Sequence, residues 1–219
     1  MDNEIILFDR LEVIKNTINK YGEENFYLSF SGGKDSAILH HLLDMALPNN
    51  QIPRVFINTG IEYNDIVKFV TELASKDSRF IMLKPSKPVK ATLEQYGYPF
   101  KSKEHSCKLH EWQLGHTETN SAKKYIDPNN RYGCPKMLRY QFEEGLNFKV
   151  SQYCCLRMKK APAKEYEKKS GRSIAITGMR KEEGGQRINL GCILTDKKGR
   201  VIRFHPLAVV TEEWEDWFR

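Results

Sequence analysis

The sequence lacks any apolar run long enough to cross a membrane. Residues 1–4 (MDNE) are acidic, and they lack the basic segment followed by an apolar segment that marks a secretory signal. We therefore expect a cytoplasmic protein without a membrane partner.

A disulfide framework is also not expected, because the cysteines are few and odd in number and the protein is expected in a reducing compartment. The alternatives are metal binding, an iron–sulfur cluster, redox chemistry or plain buried thiols. The five cysteines are Cys107, Cys134, Cys154, Cys155 and Cys192.

The composition is that of a folded domain. The chain has 219 residues, of which 40% are hydrophobic and 29% charged, so it can bury a core and is not compositionally disordered. The net charge of +7 favours anionic partners such as nucleotides, nucleic acid or sulfate-like groups. The charge alone does not choose among these partners, and a basic surface without a partner is an equal alternative.

Short apolar strands alternate with amphipathic helices, which predicts a parallel sheet with helices on both faces. Apolar residues at helical spacing predict a first helix that ends at Gly22. Two more helices are predicted with buried faces formed by Ile38, Leu42, Met45 and Ala46, and by Ile66, Phe69, Val70 and Leu73. The predicted strands span residues 26–30, 54–58, 80–83 and 173–177.

The rest of the chain is interpreted as follows. We expect one domain over residues 1–219 with an irregular insertion at about 85–151, which contains short helices at most. A basic helix is predicted from Pro162, in its first turn, to Gly171. A hairpin over 193–204 and a final helix capped by Thr211 complete the chain.

The strongest local signal is the hexapeptide SGGKDS, which lies between a predicted strand and a predicted helix. Its two glycines allow a tight turn that brings backbone N–H groups close to an anion, and the helix adds its positive end. The lysine can reach phosphate oxygens, the serines can donate hydrogen bonds, and the aspartate can bind Mg²⁺ or cap the helix. The order of residues differs from a Walker A loop. The six residues are Ser31, Gly32, Gly33, Lys34, Asp35 and Ser36.

This loop resembles the PP-loop of the ATP pyrophosphatase (adenine nucleotide alpha hydrolase-like) superfamily. Three further segments resemble its phosphoadenosine phosphosulfate (PAPS) reductase-like family. They are N-T-G-I-E at 58–62, T-G-M-R-K-E-E at 177–183, and H-P-L at 205–207 followed by T-E-E at 211–213.

The resemblance implies an α/β fold with a doubly wound, mostly parallel sheet that binds an adenine nucleotide, either ATP or a PAPS-type nucleotide, together with Mg²⁺. It places Thr59, Gly60 and Glu62 near the adenosine. It places Gly178, Arg180 and Arg187 where they bind phosphate or sulfate. The alternative for the two arginines is an ion pair with Glu182 or Glu183.

The cysteines carry a second resemblance. Residues 154–162 (CCLRMKKAP) resemble the C-C-x-x-x-K-K-x-P segment of family members that hold a [4Fe–4S] cluster on cysteine thiolates. Cys192 resembles a further family cysteine. The family's downstream C-x-x-C pair and its E-C-G-x-H segment are not in this sequence, so the resemblance implies Cys107 or Cys134 as a fourth ligand beside Cys154, Cys155 and Cys192. A zinc site and unligated thiols are the alternatives.

Three functions fit these motifs. The first is a nucleotide enzyme of sulfur chemistry, either an oxidoreductase that reduces a sulfonucleotide or an ATP-dependent sulfurtransferase. Its catalytic residues would be Lys34, Asp35, Arg180 and Cys192. The intact loop with its lysine favours ATP. The second is an ATP-dependent enzyme that modifies nucleic acid or serves in defence, with the basic helix after Pro162 as its docking surface. The third is a non-catalytic nucleotide-binding subunit that requires a partner protein. The sequence indicates no particular oligomeric state.

Overall fold

The computed structural model describes residues 2–143 and 145–219, which form two compact units. One unit, here called the sheet unit, contains residues up to 58, 62–84 and 163–219. The other, here called the helical unit, contains residues 59–61 and 85–162. The expectation of one domain with an insertion stays a prediction.

The elements of the sheet unit alternate between strands and helices, as the sequence predicts. Its elements in chain order are α1 (Asn3–Tyr21), β1 (Phe26–Ser29), α2 (Lys34–Ala46), β2 (Arg54–Ile57), α3 (Asn64–Lys76), β3 (Phe80–Leu83), β4 (Ile174–Ile176), β5 (Ile193–Thr195), β6 (Val201–Phe204) and α10 (Glu212–Phe218).

Six strands form one sheet in the order β3-β2-β1-β4-β6-β5. All neighbouring pairs are parallel except β5 with β6. The chain runs from β1 outward to β3 and then returns to place β4 on the other side of β1. The sheet is therefore doubly wound, and its switch point lies between β1 and β4, where such sheets bind ligands. The predicted α/β fold class is confirmed.

Buried apolar side chains of the central strands hold the sheet against its helices. All three residues of β4 are buried, and the first three residues of β1 are buried as well, which is typical of strands covered on both faces. Ile14 and Ile18 of α1, Leu39 and Leu42 of α2 and Trp214 of α10 belong to the same core.

The buried faces of α2 and α3 contain fewer residues than the sequence predicts. Met45 is 49% exposed and Phe69 is 41% exposed, whereas Leu42 and Val70 on the same helices are fully buried. Each predicted face thus contains one residue that stays exposed, because a helix covers the sheet with only part of its circumference.

The helix predicted from Pro162 begins nine residues earlier. Helix α8 (Tyr153–Cys155) continues through a π-helical segment (Leu156–Lys160) into α9 (Ala161–Ser170). Pro162 therefore lies inside a helical run and not in its first turn. A π-helical turn displaces the preceding backbone, so the missing N–H and the ring of proline are tolerated there. The predicted end at Gly171 is confirmed, with φ of 76°.

The helical unit contains more regular structure than the predicted irregular insertion. Four helices precede α8: α4 (Val89–Tyr96), α5 (Lys103–Gln113), α6 (Asn120–Ile126) and α7 (Tyr140–Glu143). A small aromatic core joins α5, α6 and α7. Beside it, the buried His105 ring bonds Tyr125 Oη at 2.9 Å and Gln141 Oε1 at 2.9 Å. Short helices with few apolar residues leave little periodic signal, so the sequence does not define them.

A buried charge network lies beside β2. Arg54 is fully buried and contacts Asp44 Oδ1 at 2.6 Å, and Arg79 reaches the same oxygen at 2.7 Å. Arg54 Nε also donates to His40 Nδ1 at 3.1 Å. Burial and the neighbouring Arg54 lower the pKa of His40 to about 4, so its ring accepts this bond as a neutral imidazole. His40 thus belongs to this network, whereas the neighbouring His41 is exposed.

Among the described residues, no helix combines the length and the apolar character that crossing a membrane requires.

Candidate nucleotide site at the switch point

The SGGKDS loop connects β1 to α2 at the carboxyl edge of the sheet. Gly32 has φ of 76°, and a Cβ there would lie 2.6 Å from Cγ2 of Ile66, so both conformation and space require glycine. Ser36 Oγ donates to Gly33 O at 2.9 Å and accepts from Ser31 N at 3.2 Å. These bonds close the loop on itself before the first turn of α2.

The start of α2 has the features of an anion site. Gly33 is the N-cap residue and supplies no side-chain cap. The first backbone N–H groups of a helix have no intrahelical partner, and they form the positive end of its dipole. Lys34, the first residue of the helix, adds a charged side chain at the same end.

The second predicted phosphate segment follows β4, the neighbour of β1. A Cβ on Gly178 would lie 2.7 Å from Cβ of Asp35 and 3.2 Å from its carbonyl carbon. The turn after β4 therefore packs directly on the first turn of α2. The structure brings the SGGKDS and T-G-M-R segments into contact, although about 140 residues separate them in the chain.

An ion-pair network joins these two segments to α10. Lys34 Nζ lies 2.5 Å from Glu212 Oε1 and 3.4 Å from Glu215 Oε2. Arg180 contacts Glu215 through Nε at 3.3 Å and Glu182 through a terminal nitrogen at 3.1 Å. Glu182 also accepts from the backbone N–H of Glu212 at 2.6 Å. Both candidate phosphate-binding cations are thus paired with carboxylates.

The charges in this network alter the pKa values of its members. The hydrogen bond from Lys34 lowers the pKa of Glu212, and the same bond raises the pKa of Lys34. Burial raises the pKa of Glu215, and the nearby Asp35 carboxylate adds to the effect, against the attraction of Arg180 and Lys34. Carboxylates outnumber cations here, so a polyphosphate needs a further positive charge to bind.

The carboxylates fit an oxygen-liganded cation such as Mg²⁺. Asp35 Oδ1 is buried and has no hydrogen-bond partner, and neither side-chain oxygen of Glu215 accepts a hydrogen bond. In the part of the chain that the structure describes, no group of three or more His, Cys, Asp or Glu side chains could hold a metal by itself. Mg²⁺ commonly completes its shell with waters and substrate phosphates, so one or two carboxylates suffice.

The arginines adopt the alternative arrangement that the sequence left open. Arg180 is buried and pairs with Glu182, and the half-exposed Arg187 pairs with Glu183. The acids lie in a short 3₁₀ turn, Lys181–Glu183, directly after Arg180. Arg180 reaches the network beside Lys34, whereas Arg187 contacts the turn through Glu183.

The predicted adenosine residues follow β2. Thr59 is buried, Gly60 has φ of 87°, and Glu62 lies two residues before the start of α3. Thr59 and Gly60 belong to the helical unit and Glu62 to the sheet unit. Their contact with adenosine stays a prediction.

The five cysteines are divided between the units. Cys192 belongs to the sheet unit, where its Sγ lies 3.9 Å from a terminal nitrogen of Arg10. In the helical unit, Cys107 contacts Glu111 at 3.6 Å and burial raises its pKa, while Cys134 is itself buried, with a raised pKa.

Cys154 and Cys155 are the second and third residues of helix α8. Both line a cavity of about 320 Å³ together with Lys101, Lys103 and Gln152. No three of the cysteines form a metal-binding group among the described residues. The cluster therefore stays a prediction.

Sequence reasoning assigned no role to three residues of this region, although His205 and Glu212 lie in segments that resemble the family. Glu212 and Glu215 hold Lys34, and the buried His205 bonds Thr177 Oγ1 through Nδ1 at 2.7 Å. A signal for Glu215 exists in the sequence, because residues 214–217 (WEDW) place acids between two tryptophans of a short helix. Burial, then the charge of Arg203, lowers the pKa of His205.

A groove of about 950 Å³ adjoins the loop within the sheet unit. Gly32, Gly33 and Lys34 form one end, and apolar side chains such as Phe69 and Phe218 line the remainder. Its volume suits a nucleotide-sized or acceptor-sized molecule.

Two solved structures resemble this chain, and the match to a synthetase supports the fold. The NH3-dependent NAD synthetase from Campylobacter jejuni subsp. jejuni, solved with a nitrate ion, gives a TM-score of 0.51 at 14% identity, over 98% of this chain and 71% of that one. The phosphoadenylyl-sulfate (PAPS) reductase from Candida auris, solved with phosphate, gives a TM-score of 0.48 at 13% identity, over 95% and 83%. At such identities the likeness to the synthetase concerns the fold alone.

A curated relative covers a shorter region. Uncharacterized protein MJ0973 of Methanocaldococcus jannaschii is 34% identical over 94 residues, which are 42% of this chain and 22% of that protein. The chain thus spans about a fifth of that relative's length. The family model described as phosphoadenosine phosphosulfate reductase domain matches residues 25–114 and 123–214, which include both predicted phosphate segments and most of the chain. The chain therefore belongs to the phosphoadenosine phosphosulfate reductase domain family.

Proposed function

We propose that this chain binds Mg-ATP at the SGGKDS loop and cleaves it between the α- and β-phosphates to adenylate an acceptor in sulfur chemistry. The observation that carries the proposal is the contact between Gly178 and Asp35, which places the turn after β4 on the phosphate loop at the switch point of the sheet. Family membership supports an adenine nucleotide as the ligand.

The proposed reaction assigns a role to each element of the site. A nucleophilic atom of the acceptor bonds to the α-phosphorus, and the bond from that phosphorus to the bridging oxygen breaks, which releases pyrophosphate. Lys34 and the first N–H groups of α2 stabilise the charge that develops on the leaving pyrophosphate. Arg180 holds a second phosphate oxygen. Mg²⁺, bound with Asp35 and the phosphates, would neutralise the excess of carboxylates.

Pyrophosphate release tests the reaction. Wild-type protein, incubated with Mg-ATP and a thiol or sulfide acceptor, is expected to release pyrophosphate. Lys34→Met should lower the rate by about two orders of magnitude, because it removes a charge that acts in the transition state. Lys68→Met is the matched control, since that lysine is 75% exposed and pairs only loosely with Asp65 at 3.7 Å. Equal rates for the two variants would refute the role of the loop.

Assays with different nucleotides distinguish adenylation from sulfonucleotide reduction. Sulfite formation from a PAPS-type nucleotide and a dithiol, without pyrophosphate release from ATP, would support sulfonucleotide reduction instead. Binding of ATP without turnover, followed by turnover after addition of a partner protein, would support a nucleotide-binding subunit.

Visible absorbance tests the iron–sulfur cluster hypothesis separately. The adjacent thiols of Cys154 and Cys155, next to Lys101 and Lys103 in one cavity, support it. Protein purified without oxygen should show broad visible absorbance that is lost in Cys154→Ala and Cys155→Ala. A colourless, metal-free protein with full pyrophosphate release would refute the cluster.

The second function from the sequence, docking of nucleic acid on the basic helix, gains no support from the geometry. Arg172 donates to the backbone carbonyls of Glu23 and Phe26 at 2.9 and 2.8 Å. Lys169 pairs with Glu165 at 2.6 Å. These partners are typical of a solvated helix surface and its packing.

A further inference from the structure

Glu215 is a buried carboxylate between the two cations of the candidate site. Its side chain is fully buried, with Oε1 3.3 Å from Arg180 Nε and Oε2 3.4 Å from Lys34 Nζ. Neither oxygen accepts a hydrogen bond. Burial of a carboxylate in this way costs free energy unless opposite charges compensate, so the two cations are what makes its position tolerable.

The location of Glu215 is set by the packing of α10. Thr211 Oγ1 caps this helix by accepting from Trp214 N at 3.2 Å. The indole of Trp214 is buried in the core, stacks on Phe218, and donates to Asn3 O at 3.0 Å. A side chain one residue after this anchor has little freedom to leave its place.

Glu212, one turn earlier on the same helix, holds Lys34 in a different way. Its side chain is 62% exposed, and its Oε1 lies 2.5 Å from Lys34 Nζ. An exposed carboxylate is well solvated after it leaves an ion pair, so its release costs little. An incoming phosphate oxygen can therefore replace Glu212 on Lys34, whereas it cannot replace Glu215 without leaving a buried charge unpaired.

We propose that Glu215 is a positioning residue that holds Lys34 and Arg180 together for a polyphosphate, while Glu212 occupies the phosphate's place on Lys34 until the ligand arrives. This inference rests on the proposed nucleotide function of the loop and adds the residues that prepare it. Neither Glu212 nor Glu215 lies in the SGGKDS segment or in the T-G-M-R segment.

Charge alone predicts the opposite result for Glu215. Removal of any negative charge near the loop should strengthen polyphosphate binding by simple electrostatics. Without its charge, however, Glu215 no longer holds Lys34 at the loop, and Lys34 stays with Glu212 on the exposed side. Positioning and charge thus predict opposite signs for Glu215→Gln and the same sign for Glu212→Gln.

The test is calorimetric titration of the full chain with inorganic pyrophosphate, and separately with ATP, in Mg²⁺ buffer. Glu212→Gln is expected to bind a few-fold more tightly than wild type, and Glu215→Gln roughly tenfold more weakly. Both substitutions remove one charge from the same helix, so each is the matched control of the other. Tighter binding by both variants, or unchanged binding by Glu215→Gln, would overturn the proposal.

A double-mutant cycle excludes a merely structural role. In a Lys34→Met background, Glu215→Gln should have a clearly smaller effect on affinity, because one of the two cations that it positions is gone. A purely structural role would give the same loss of affinity in both backgrounds and would overturn the proposal. Urea unfolding reports the integrity of each variant. If Glu215→Gln does not fold, Glu215→Asp takes its place, with an expected weakening between wild type and tenfold.

Failure of the two proposals is distinguishable. Wild-type protein that binds neither pyrophosphate nor ATP refutes the nucleotide function and this inference with it. Wild-type protein that binds both, with variants that change affinity in the same direction, refutes the positioning role alone.

Discussion

A single methyl group at Gly178 should disturb the proposed site more than the fold. Gly178 does not have a positive φ, so its backbone accepts alanine. The added Cβ would lie 2.7 Å from Cβ of Asp35, whereas carbon atoms pack at about 3.5 to 4.0 Å. The turn after β4 and the first turn of α2 must therefore separate by roughly 1 Å.

The magnitude follows from that separation. Overpacking of this kind costs about 1 to 3 kcal/mol in the free energy of unfolding. Displacement of a catalytic group by about 1 Å costs up to two orders of magnitude in rate. For Gly178→Ala we expect a modest loss of stability and a pyrophosphate release rate about 100-fold below that of wild type.

The assays are urea unfolding, Mg-ATP titration and pyrophosphate release. Gly191→Ala is the control, because its backbone φ is not positive either and its added Cβ would meet Ile193 O at 3.4 Å, an ordinary contact. Gly178→Ala protein with wild-type affinity and rate would refute the contact between the two segments as a feature of the working site.

The remaining predictions concern the buried network beside β2. Asp44→Ala leaves the fully buried Arg54 without its carboxylate, and it should lower the free energy of unfolding by about 3 kcal/mol in urea titrations; a change below about 0.5 kcal/mol would contradict the network's role. His40 has a pKa of about 4 in the folded chain and about 6.5 in the unfolded chain. The unfolded chain therefore binds the extra proton first, so the stability contributed by neutral His40 is complete above pH 6.5 and is lost as the pH falls toward 4. Between pH 7 and 5, wild type should lose about 1 kcal/mol more than His40→Gln, after allowance for solvent screening; equal losses would show that His40 does not titrate in this window.

Much of the sheet unit follows from local patterns. The strands predicted at 26–30 and 80–83 lie within one residue of β1 and β3, because short apolar runs next to turn residues have few other stable conformations. The loop residues required by backbone geometry, above all Gly32 with its positive φ, are recognisable for the same reason. The helical unit was less predictable, since α4 to α7 are short and stabilised by contacts such as that of His105 with Tyr125.

The sequence by itself determined the phosphate loop, the alternation of strands and helices, and the resemblance that the family match confirms. These features depend on residues close together in the chain, whose conformational preferences act locally. Only the tertiary structure decided that Lys34 faces Glu212 and Glu215, that Arg180 shares Glu215 with it, and that Gly178 touches Asp35. The contacts of Lys34 and of Asp35 join segments more than 140 residues apart, and Arg180 lies 35 residues from Glu215. The register of the sheet and the packing of α10, not any local preference, bring these residues together.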